Sequence, residues 1–304
     1  MSMTMPQKIT SSLFNYFCEF DAEALMQSFH QQNQTPEEGI IRNFLGCRIT
    51  PSVYPSVLTA MAGTVESLPH PGNWHADIAE WAAALRSVEL AKTQGQGVYR
   101  IVELGCGWGC WITNMGVAAR SRGLAVDLIG IEGDRYHLES ASTVLKLNGF
   151  SEADFALHHG VAGPKRGKAI FPIHAVDGSN WGAEPKFYPG PIALARAKKR
   201  NDVQILNCFT LADLTQGQPI DLLHIDIQGA ELDYVRGNFG AIKAQVKRVL
   251  IGTHSRQIEG ALCGHFLDAG WQMEMERPVI TPLQQGRPET RVDGVQLWAN
   301  PVLS

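Results

Sequence analysis

The chain has 304 residues, of which 44% are hydrophobic and 18% charged, and a formal net charge of −4. This composition is typical of a globular protein with a sizeable core, and the near balance of charge argues against nucleic acid as a partner. No apolar run reaches the ~20 residues that a membrane-spanning helix needs. The first ten residues lack the apolar segment of a signal peptide and the six cysteines are scattered, so we expect a cytoplasmic protein with reduced thiols.

Residues 1–74 contain no chemical motif, and we predict a mostly helical extension there, ahead of one domain at residues 75–304. Apolar side chains recur at roughly helical spacing near its start, at Leu13, Phe14, Phe17, Phe20 and Leu25. Thr35-Pro36 has the form of a helix cap followed by proline, which predicts a second helix. The extension is expected either to cover the substrate side or to contact a second copy of the chain in a homo-oligomer.

A helix is predicted over His75–Leu90, because its apolar residues recur at spacings of three and four. His75 and Asp77 would then lie in the first turn of this helix. A solvated helix start is the expected role of both side chains, and contact with a ligand is the alternative.

A β-type run, Val98–Leu104, leads into three alternate glycines and then into a helix-like run that includes Trp111. The glycines are Gly105, Gly107 and Gly109. Glycine permits strained dihedral angles and close approach of a ligand, and the start of the following helix offers free N–H groups. This pattern predicts a ligand-binding turn, although a purely structural turn in another α/β protein is the alternative.

The glycine spacing and a nearby carboxylate separate two ligand classes. A dinucleotide site requires G-x-G-x-x-G, but Cys110 stands where the third glycine would be. Glu103, two residues before the first glycine, suits a cation better than a pyrophosphate. The E-x-G-x-G-x-G form resembles motif I of the class I S-adenosylmethionine (SAM) methyltransferases, and SAM carries a sulfonium and an ammonium group.

Two further strands are expected to complete the cofactor site. Ala125–Glu132 ends in a carboxylate that is placed to hold the ribose hydroxyls, a role that would serve NAD equally well. Phe155–His159 ends at Gly160-Val161, which would lie beside the adenine. The adjacent His158 and His159 point to opposite faces of a strand, which argues against a shared metal ion.

A long segment, Asp177–Pro191, is rich in glycine, proline and aromatic residues. A loop of this length within a compact domain is often functional, and Asn180 and Trp181 are its candidate substrate contacts. Basic clusters at residues 163–168 and 196–200 flank this loop. A solvated surface is the expected role of both clusters, with contact to an anionic substrate as the weaker alternative.

Polar side chains gather at the ends of two later strands. Ile220–Ile227 carries His224 and Asp226 on one face, and Gln228 and Glu231 follow directly. The next strand, predicted over residues 246–253, delivers His254 to the same sheet edge, where ligands bind in open α/β sheets. We expect His254 to be the general base, with Asp226 as the runner-up. Asp226 and Glu231 could instead hold Mg²⁺, which prefers oxygen ligands.

Together these stretches resemble the FkbM family of SAM-dependent methyltransferases over about residues 75–303. The resemblance rests on Glu103–Gly109, Gly130–Glu132, Ile220–Glu231 and Gly252–His254, and the ending Asp293–Asn300 also fits the last strand of the family. The family often has glutamate where this chain has Gln228, which weakens the case for a three-carboxylate metal site. The resemblance implies an α/β, doubly wound, seven-stranded Rossmann-like sheet that closes with an antiparallel pair.

The resemblance also implies SAM-dependent methylation of a hydroxyl on a sugar, a glycan or a related natural product. Two other functions remain open, namely a non-catalytic SAM-binding or assembly module and, as a weaker alternative, an NAD-dependent oxidoreductase. The expected cofactor-binding residues are Glu103, Gly105, Gly107, Gly109, Trp111, Glu132, His159, Gly160 and Val161. The expected catalytic residues are His254, Asp226, Glu231 and His224, and the expected substrate contacts are Gln228, Asn180 and Trp181.

Overall fold

The structure is a computed structural model, and it describes residues 16–174 and 181–304. Its α-helices are α1 (Ala22–Phe29), α2 (Pro55–Leu58), α3 (Ile78–Thr93), α4 (Cys110–Ser121), α5 (Arg135–Leu147), α6 (Pro191–Ala197), α7 (Leu211–Thr215), α8 (Glu231–Gln245) and α9 (Arg256–Asp268). Its strands are β1 (Phe17–Cys18), β2 (Ile41–Arg42), β3 (Arg48–Ile49), β4 (Val98–Leu104), β5 (Ala125–Glu132), β6 (Phe155–His159), β7 (Val161–Ala162), β8 (Gly167–Pro172), β9 (Lys186–Phe187), β10 (Val203–Phe209), β11 (Ile220–Ile225), β12 (Val246–Thr253), β13 (Gln272–Arg277), β14 (Leu283–Gln284), β15 (Arg287–Pro288) and β16 (Gly294–Ala299).

The main sheet has the order β1-β13-β16-β12-β11-β4-β5-β6. The five strands from β12 to β6 in this order are parallel, and β16 lies antiparallel between β12 and β13. The doubly wound fold and its closing antiparallel pair are therefore confirmed. One difference is that β1 adds an eighth strand, because the backbone of Phe17 and Cys18 pairs with Glu276 and Met275 at the edge of β13.

The chain order of the strands locates the ligand crevice. From β4 the chain moves outward to β5 and β6, and it then returns to place β11 on the other side of β4. The connections after β4 and β11 therefore lead away from each other. In open α/β sheets, ligands bind at the carboxyl ends of the strands at such a reversal point.

Helices cover both faces of the main sheet and bury its two cores. On one face, α3 contributes Trp81 and Leu85 to a core that also contains Trp111 of α4. On the other face, Tyr234 of α8 and Phe266 of α9 pack with the strands. Among the described residues, no helix is both long and apolar enough to cross a membrane.

The described part of the N-terminal extension is less helical than predicted. Residues 16–74 contain α1, the short α2, two 3-10 turns and the strands β1 to β3. Helix α1 begins after Asp21, whose carboxylate accepts a hydrogen bond from the amide of Ala24. No helix starts at Pro36, because Glu37 instead forms a bridge with Ile40. The expected domain boundary at residue 74 stays a prediction, although Met26 and Phe29 of the extension share a core with α3.

Helix α3 starts three residues later than predicted. The Asp77 carboxylate accepts a hydrogen bond from the amide of Glu80 and caps the helix at Ile78. His75 therefore lies before the helix, in a turn against α4.

A second sheet, with the order β7-β10-β8-β9, is built from the segment between β6 and α7. Its core includes Val161, Phe171, Leu206 and Cys208. The predicted basic turn lies here and is partly paired, because Arg166 forms an ion pair with Asp213. This sheet brings its inner residues beside the carboxyl ends of β5 and β6.

Candidate functional site

The glycine turn between β4 and α4 brings two strand ends close together. Gly105, Gly107 and Gly109 all have positive φ angles, of 73°, 50° and 77°. A Cβ atom on Gly105 would lie 2.1 Å from the carbonyl oxygen of Asp226, which follows β11. Any other residue at position 105 would therefore force β4 and β11 apart at their carboxyl ends. The glycine allows the crevice between these strands to form.

The carboxylate of Glu103 stabilises this turn at the start of α4. Its carboxylate accepts hydrogen bonds from the amides of Trp111 at 3.2 Å and Ile112 at 2.9 Å, and thereby satisfies the start of α4. The side chain is only 3% exposed, and burial raises its pKa to about 7. Glu103 therefore holds the helix in place in addition to bordering the cavity where a cofactor contact is predicted.

Glu132 at the end of β5 is held against the same turn. Its two oxygens accept hydrogen bonds from the amides of Gly107 at 2.9 Å and Asp134 at 2.7 Å. Burial is the main cause of the raised pKa of this carboxyl group. The amide of Gly133 also donates to this carboxylate, and since a carboxylate can accept about four hydrogen bonds, one acceptor position is left for a ribose hydroxyl.

A first cavity lies over the glycine turn. Seven of the nine expected cofactor residues border it, namely Glu103, Gly105, Gly107, Trp111, Glu132, Gly160 and Val161. Gly109 does not, because it caps α4 and faces Ala141 and Ile112. His159 does not border it either, and its Nε2 atom lies 3.1 Å from the carbonyl oxygen of Gly133.

The first cavity is closed on its outer side by aromatic rings. Trp181, an expected substrate contact, borders the cavity, and its ring lies 4.3 Å from the ring of His137, centroid to centroid. The expectation for Asn180 falls on a residue outside the described part of the chain. Sequence reasoning missed His137, Phe171 and Phe187, which also border the cavity. Only the topology brings Phe171 and Phe187 there, since both belong to the second sheet.

His254, Asp226 and Glu231 meet as predicted. His254 Nε2 lies 3.2 Å from Asp226 Oδ1, and His254 Nδ1 lies 2.9 Å from Glu231 Oε1. Burial lowers the pKa of His254, but the hydrogen bonds and charges of the two carboxylates outweigh it and raise the pKa to about 11. His254 is therefore an imidazolium at neutral pH. Since a protonated imidazole cannot accept a proton, this geometry argues against His254 as the general base.

Asp226 is the exposed member of this cluster. Gln228 donates a hydrogen bond from Nε2 to Asp226 Oδ1 at 3.2 Å, and its backbone has a φ of 53°, which is rare for a residue other than glycine. Burial raises the pKa of Asp226, but the hydrogen bond and charge of His254 outweigh it and lower the pKa. The side chain retains 43% exposure. Asp226 therefore presents an ionised carboxylate to the space around it.

The same cluster has the atoms for a metal site but fits Mg²⁺ poorly. One ligand atom from each of Asp226, Glu231 and His254 lies within 4.8 Å of the others. Mg²⁺ prefers oxygen ligands and keeps several waters, whereas Glu231 is fully buried and its Oε1 already accepts hydrogen bonds from the amides of Ile227 and Gly229. His254 bridges the two carboxylates and supplies the positive charge that a metal would bring.

A second cavity of about 500 Å³ adjoins the first. The two share three wall residues, His75, Trp111 and Asp226. Further polar walls of the second cavity are Asn73, Asp77, Glu80, His254, Arg277, Arg291 and Asp293. The sequence did not indicate this cavity, because its walls come from the turn before α3, the end of β13 and the segment before β16.

Two histidines, one half-buried and one buried, lie near the junction of the cavities and differ in charge. His224 is 2% exposed, and its Nε2 lies 3.5 Å from Glu80 Oε1. Burial lowers the pKa of His224, but Glu80 and Glu103 outweigh it and raise the pKa. For His75, burial is the main cause of a pKa that falls to about 4. The expectation that His75 lies in the first turn of the helix is wrong, because α3 begins at Ile78 and His75 packs against tryptophan rings before it.

A curated relative covers almost the whole chain. The chain is 51% identical over 278 residues to the protein named "Putative methyltransferase" from Jannaschia sp. (strain CCS1), and the match covers 91% of this chain and 98% of that relative. No family model matches the chain.

Similar solved structures are more distant. The FkbM methyltransferase of Methylobacillus flagellatus KT shares 15% identity at a TM-score of 0.43, with 67% of this chain and 44% of that structure covered, so the chain spans less than half of its length. The ribosomal protein L11 methylase of Lactobacillus delbrueckii subsp. bulgaricus shares 14% identity at a TM-score of 0.38, with 74% and 80% covered. The doubly wound fold of this chain is established by the strand order of its main sheet. Because half of the aligned residues are identical to a relative that is matched along nearly its full length, the chain belongs to the same family of methyltransferases as that relative.

Proposed function

We propose that this methyltransferase transfers the methyl group of SAM to a hydroxyl oxygen of a sugar, a glycan or a related natural product. The observation that carries the proposal is the second cavity, which joins the cofactor cavity at His75, Trp111 and Asp226. An acceptor in the second cavity and a methyl donor in the first would meet at these three residues.

The first cavity supplies contacts for each part of SAM. Glu132 would accept a hydrogen bond from the ribose, and Gly160 and Val161 would flank the adenine. Gly107 keeps its part of the first cavity open for the cofactor, since a Cβ atom there would lie 3.2 Å from the Trp181 ring. SAM supplies an electrophilic methyl group on a positively charged sulfur, and the Asp226 carboxylate gives the junction a compensating negative charge.

The second cavity suits an acceptor with several hydroxyl groups. Glu80, Asp226 and Asp293 on its walls offer hydrogen-bond acceptors, and Arg277 and Arg291 offer donors. Polar walls of both kinds match hydroxyls, which donate and accept. A purely apolar acceptor would cover these groups without forming hydrogen bonds to them, which is unfavourable.

Asp226 is proposed to position the acceptor hydroxyl. His254 and Gln228 hold the Asp226 carboxylate from two sides, and the carboxylate remains ionised and open to both cavities. A fixed carboxylate that accepts the hydroxyl hydrogen would hold the oxygen in line with the methyl group, which is the alignment that displacement at carbon needs.

The experiment is acceptor profiling with SAM, read out as S-adenosylhomocysteine release. Sugar nucleotides, methyl glycosides, phenolics and primary amines are tested side by side, and mass spectrometry locates the methyl group in each product. O-methylated sugars support the proposal, whereas transfer to the amines or to carbon contradicts it.

Cofactor-binding measurements, together with this assay, distinguish the two other functions. A non-catalytic module would bind SAM in calorimetry yet release no S-adenosylhomocysteine with any acceptor. An NAD-dependent oxidoreductase would gain thermal stability from NAD rather than from SAM, because a ligand stabilises the fold that binds it.

A further inference from the structure

The junction of the two cavities contains an imidazole ring with free nitrogen atoms. Of the histidines in the described part of the chain, only His75 borders both cavities. Neither of its ring nitrogens forms a hydrogen bond with a described residue, and only its backbone amide is bonded, to Asn73. We propose that His75 is the catalytic residue that accepts the proton of the acceptor hydroxyl during methyl transfer. This proposal rests on the proposed function.

The other histidines of the two cavities are unsuited to this step. His254 is bridged between two carboxylates and already carries a proton. Both ring nitrogens of His224 are buried and inaccessible from the cavities, although other atoms of this residue border the first cavity. His137 borders only the first cavity, with its ring stacked on Trp181.

The surroundings of His75 keep its ring neutral before the reaction. The rings of Trp74, Trp108 and Trp111 lie 5.3, 5.6 and 5.5 Å from it, centroid to centroid, and cover much of its surface. Burial therefore lowers the pKa of His75 most, the charge of His224 lowers it further, and the charge of Asp226 opposes both. The other charged or titratable groups around the two cavities are Asp77, Glu80, Glu103, Cys106, Cys110, Glu132, His137, His224, Asp226, His254, Arg277, Arg291 and Asp293.

The proton transfer balances the charge of the methyl transfer. The acceptor oxygen forms a bond to the methyl carbon, and the carbon–sulfur bond breaks with its electron pair left on sulfur. The hydroxyl proton passes to a ring nitrogen of His75. One positive charge thus leaves the sulfur as another appears on the imidazole, so the junction keeps its net charge. Asp226 stabilises the positive charge in both positions.

The test combines methyl transfer with a titration that needs no acceptor. Wild type, His75→Asn, His75→Gln and a control, His30→Asn, are compared; His30 borders neither cavity. S-adenosylhomocysteine binding, measured by calorimetry, serves as the check that each variant is folded. The kcat for the acceptor found by profiling is then measured from pH 5 to 9. In parallel, the His75 Cε1–H signal of wild type, assigned by its loss in His75→Asn, is titrated by NMR.

Both His75 variants are expected to bind S-adenosylhomocysteine within about threefold of wild type and to lose about a hundredfold or more in kcat, the range for a lost general base. The His75 signal is expected to stay in its neutral position throughout the pH range of the assay. Retention of kcat within twofold in either folded variant overturns the proposal. A ring that remains protonated across the pH range of the assay overturns it as well, even if O-methylation is found. Failure to find any hydroxyl acceptor would instead refute the proposed function, and this inference with it.

Discussion

The Nδ1 atom of His254 lies 2.9 Å from Glu231 Oε1 in an ion pair, and that carboxylate has no solvent exposure. A buried ion pair of this kind binds a proton in the folded state that the unfolded chain releases near pH 6.5. The folded protein holds this proton until the pH approaches about 11. The site therefore couples the protonation of one histidine to the stability of the whole fold.

Stability is accordingly expected to fall as the pH rises. Between pH 6.5 and about 11 the folded state binds more protons at His254 than the unfolded state does, so the free energy of unfolding decreases through this window and the contribution is fully present only below it. The Glu231→Gln variant should lower the pKa of His254 and flatten this dependence. Urea unfolding at pH 7, 8.5 and 10 measures the slopes. The exposed Glu139→Gln is the control, and an equal slope in wild type and Glu231→Gln would contradict the assignment.

Removal of the Glu132 carboxylate should weaken cofactor binding. Glu132→Ala is expected to reduce SAM affinity by ~1.5–3 kcal/mol, the range for hydrogen bonds to a charged group. The variant loses the predicted ribose contact, and it also frees the amide of Gly107 from its partner. Isothermal titration calorimetry with SAM checks the change, and the exposed Glu152→Ala provides the matched control. Unchanged affinity in Glu132→Ala would remove the ribose role from this residue.

A branched side chain at Gly107 should abolish SAM binding. The Cβ atom would lie 3.2 Å from the Trp181 ring, and the φ of 50° is a conformation that valine rarely adopts. Gly107→Val should therefore fill the first cavity while the rest of the sheet stays folded, as circular dichroism would show. Gly260→Ala in α9, where a Cβ atom meets no neighbour, should bind SAM normally. Normal binding by folded Gly107→Val would show that the cofactor lies elsewhere.

Neutralising Asp226 should separate turnover from cofactor affinity. Asp226→Asn keeps the shape of the side chain but removes the charge that pairs with His254, so kcat should fall on the order of a hundredfold, while the affinity for S-adenosylhomocysteine, whose sulfur is uncharged, changes little. S-adenosylhomocysteine release with the profiled acceptor measures the first quantity, and calorimetry measures the second. A variant with full turnover would exclude Asp226 from acceptor positioning.

Chelation should leave the activity intact. His254 already bridges Asp226 and Glu231, so wild type treated with EDTA is expected to keep its kcat within twofold. Loss of activity with EDTA and its recovery with Mg²⁺ would reverse this conclusion. Asp226 and Glu231 would then be metal ligands, and His254 would act as a neutral third ligand or a supporting group.

The parts of the site that lie close together in sequence were predictable, and the parts assembled from distant segments were not. The glycine turn and Glu132 follow from local rules for strand ends, as does the grouping of Asp226 with Glu231. Nothing local to His75 indicates its role, because its tryptophan neighbours meet only when the turn before α3 packs on α4. The positive charge of His254 could not be predicted from the sequence either, since it depends on two carboxylates that come from the end of another strand and from α8.

Strand β1 has a consequence for the edge of the main sheet. The backbone groups of Glu276 and Met275 on β13 would otherwise face outward, and Phe17 and Cys18 cover them. Unpaired strand edges are templates for pairing with other chains. The two residues of β1 thus protect this edge of the main sheet from pairing with a strand of another chain. A chain that begins after residue 20 should accordingly self-associate in light scattering while its distant SAM pocket keeps its affinity.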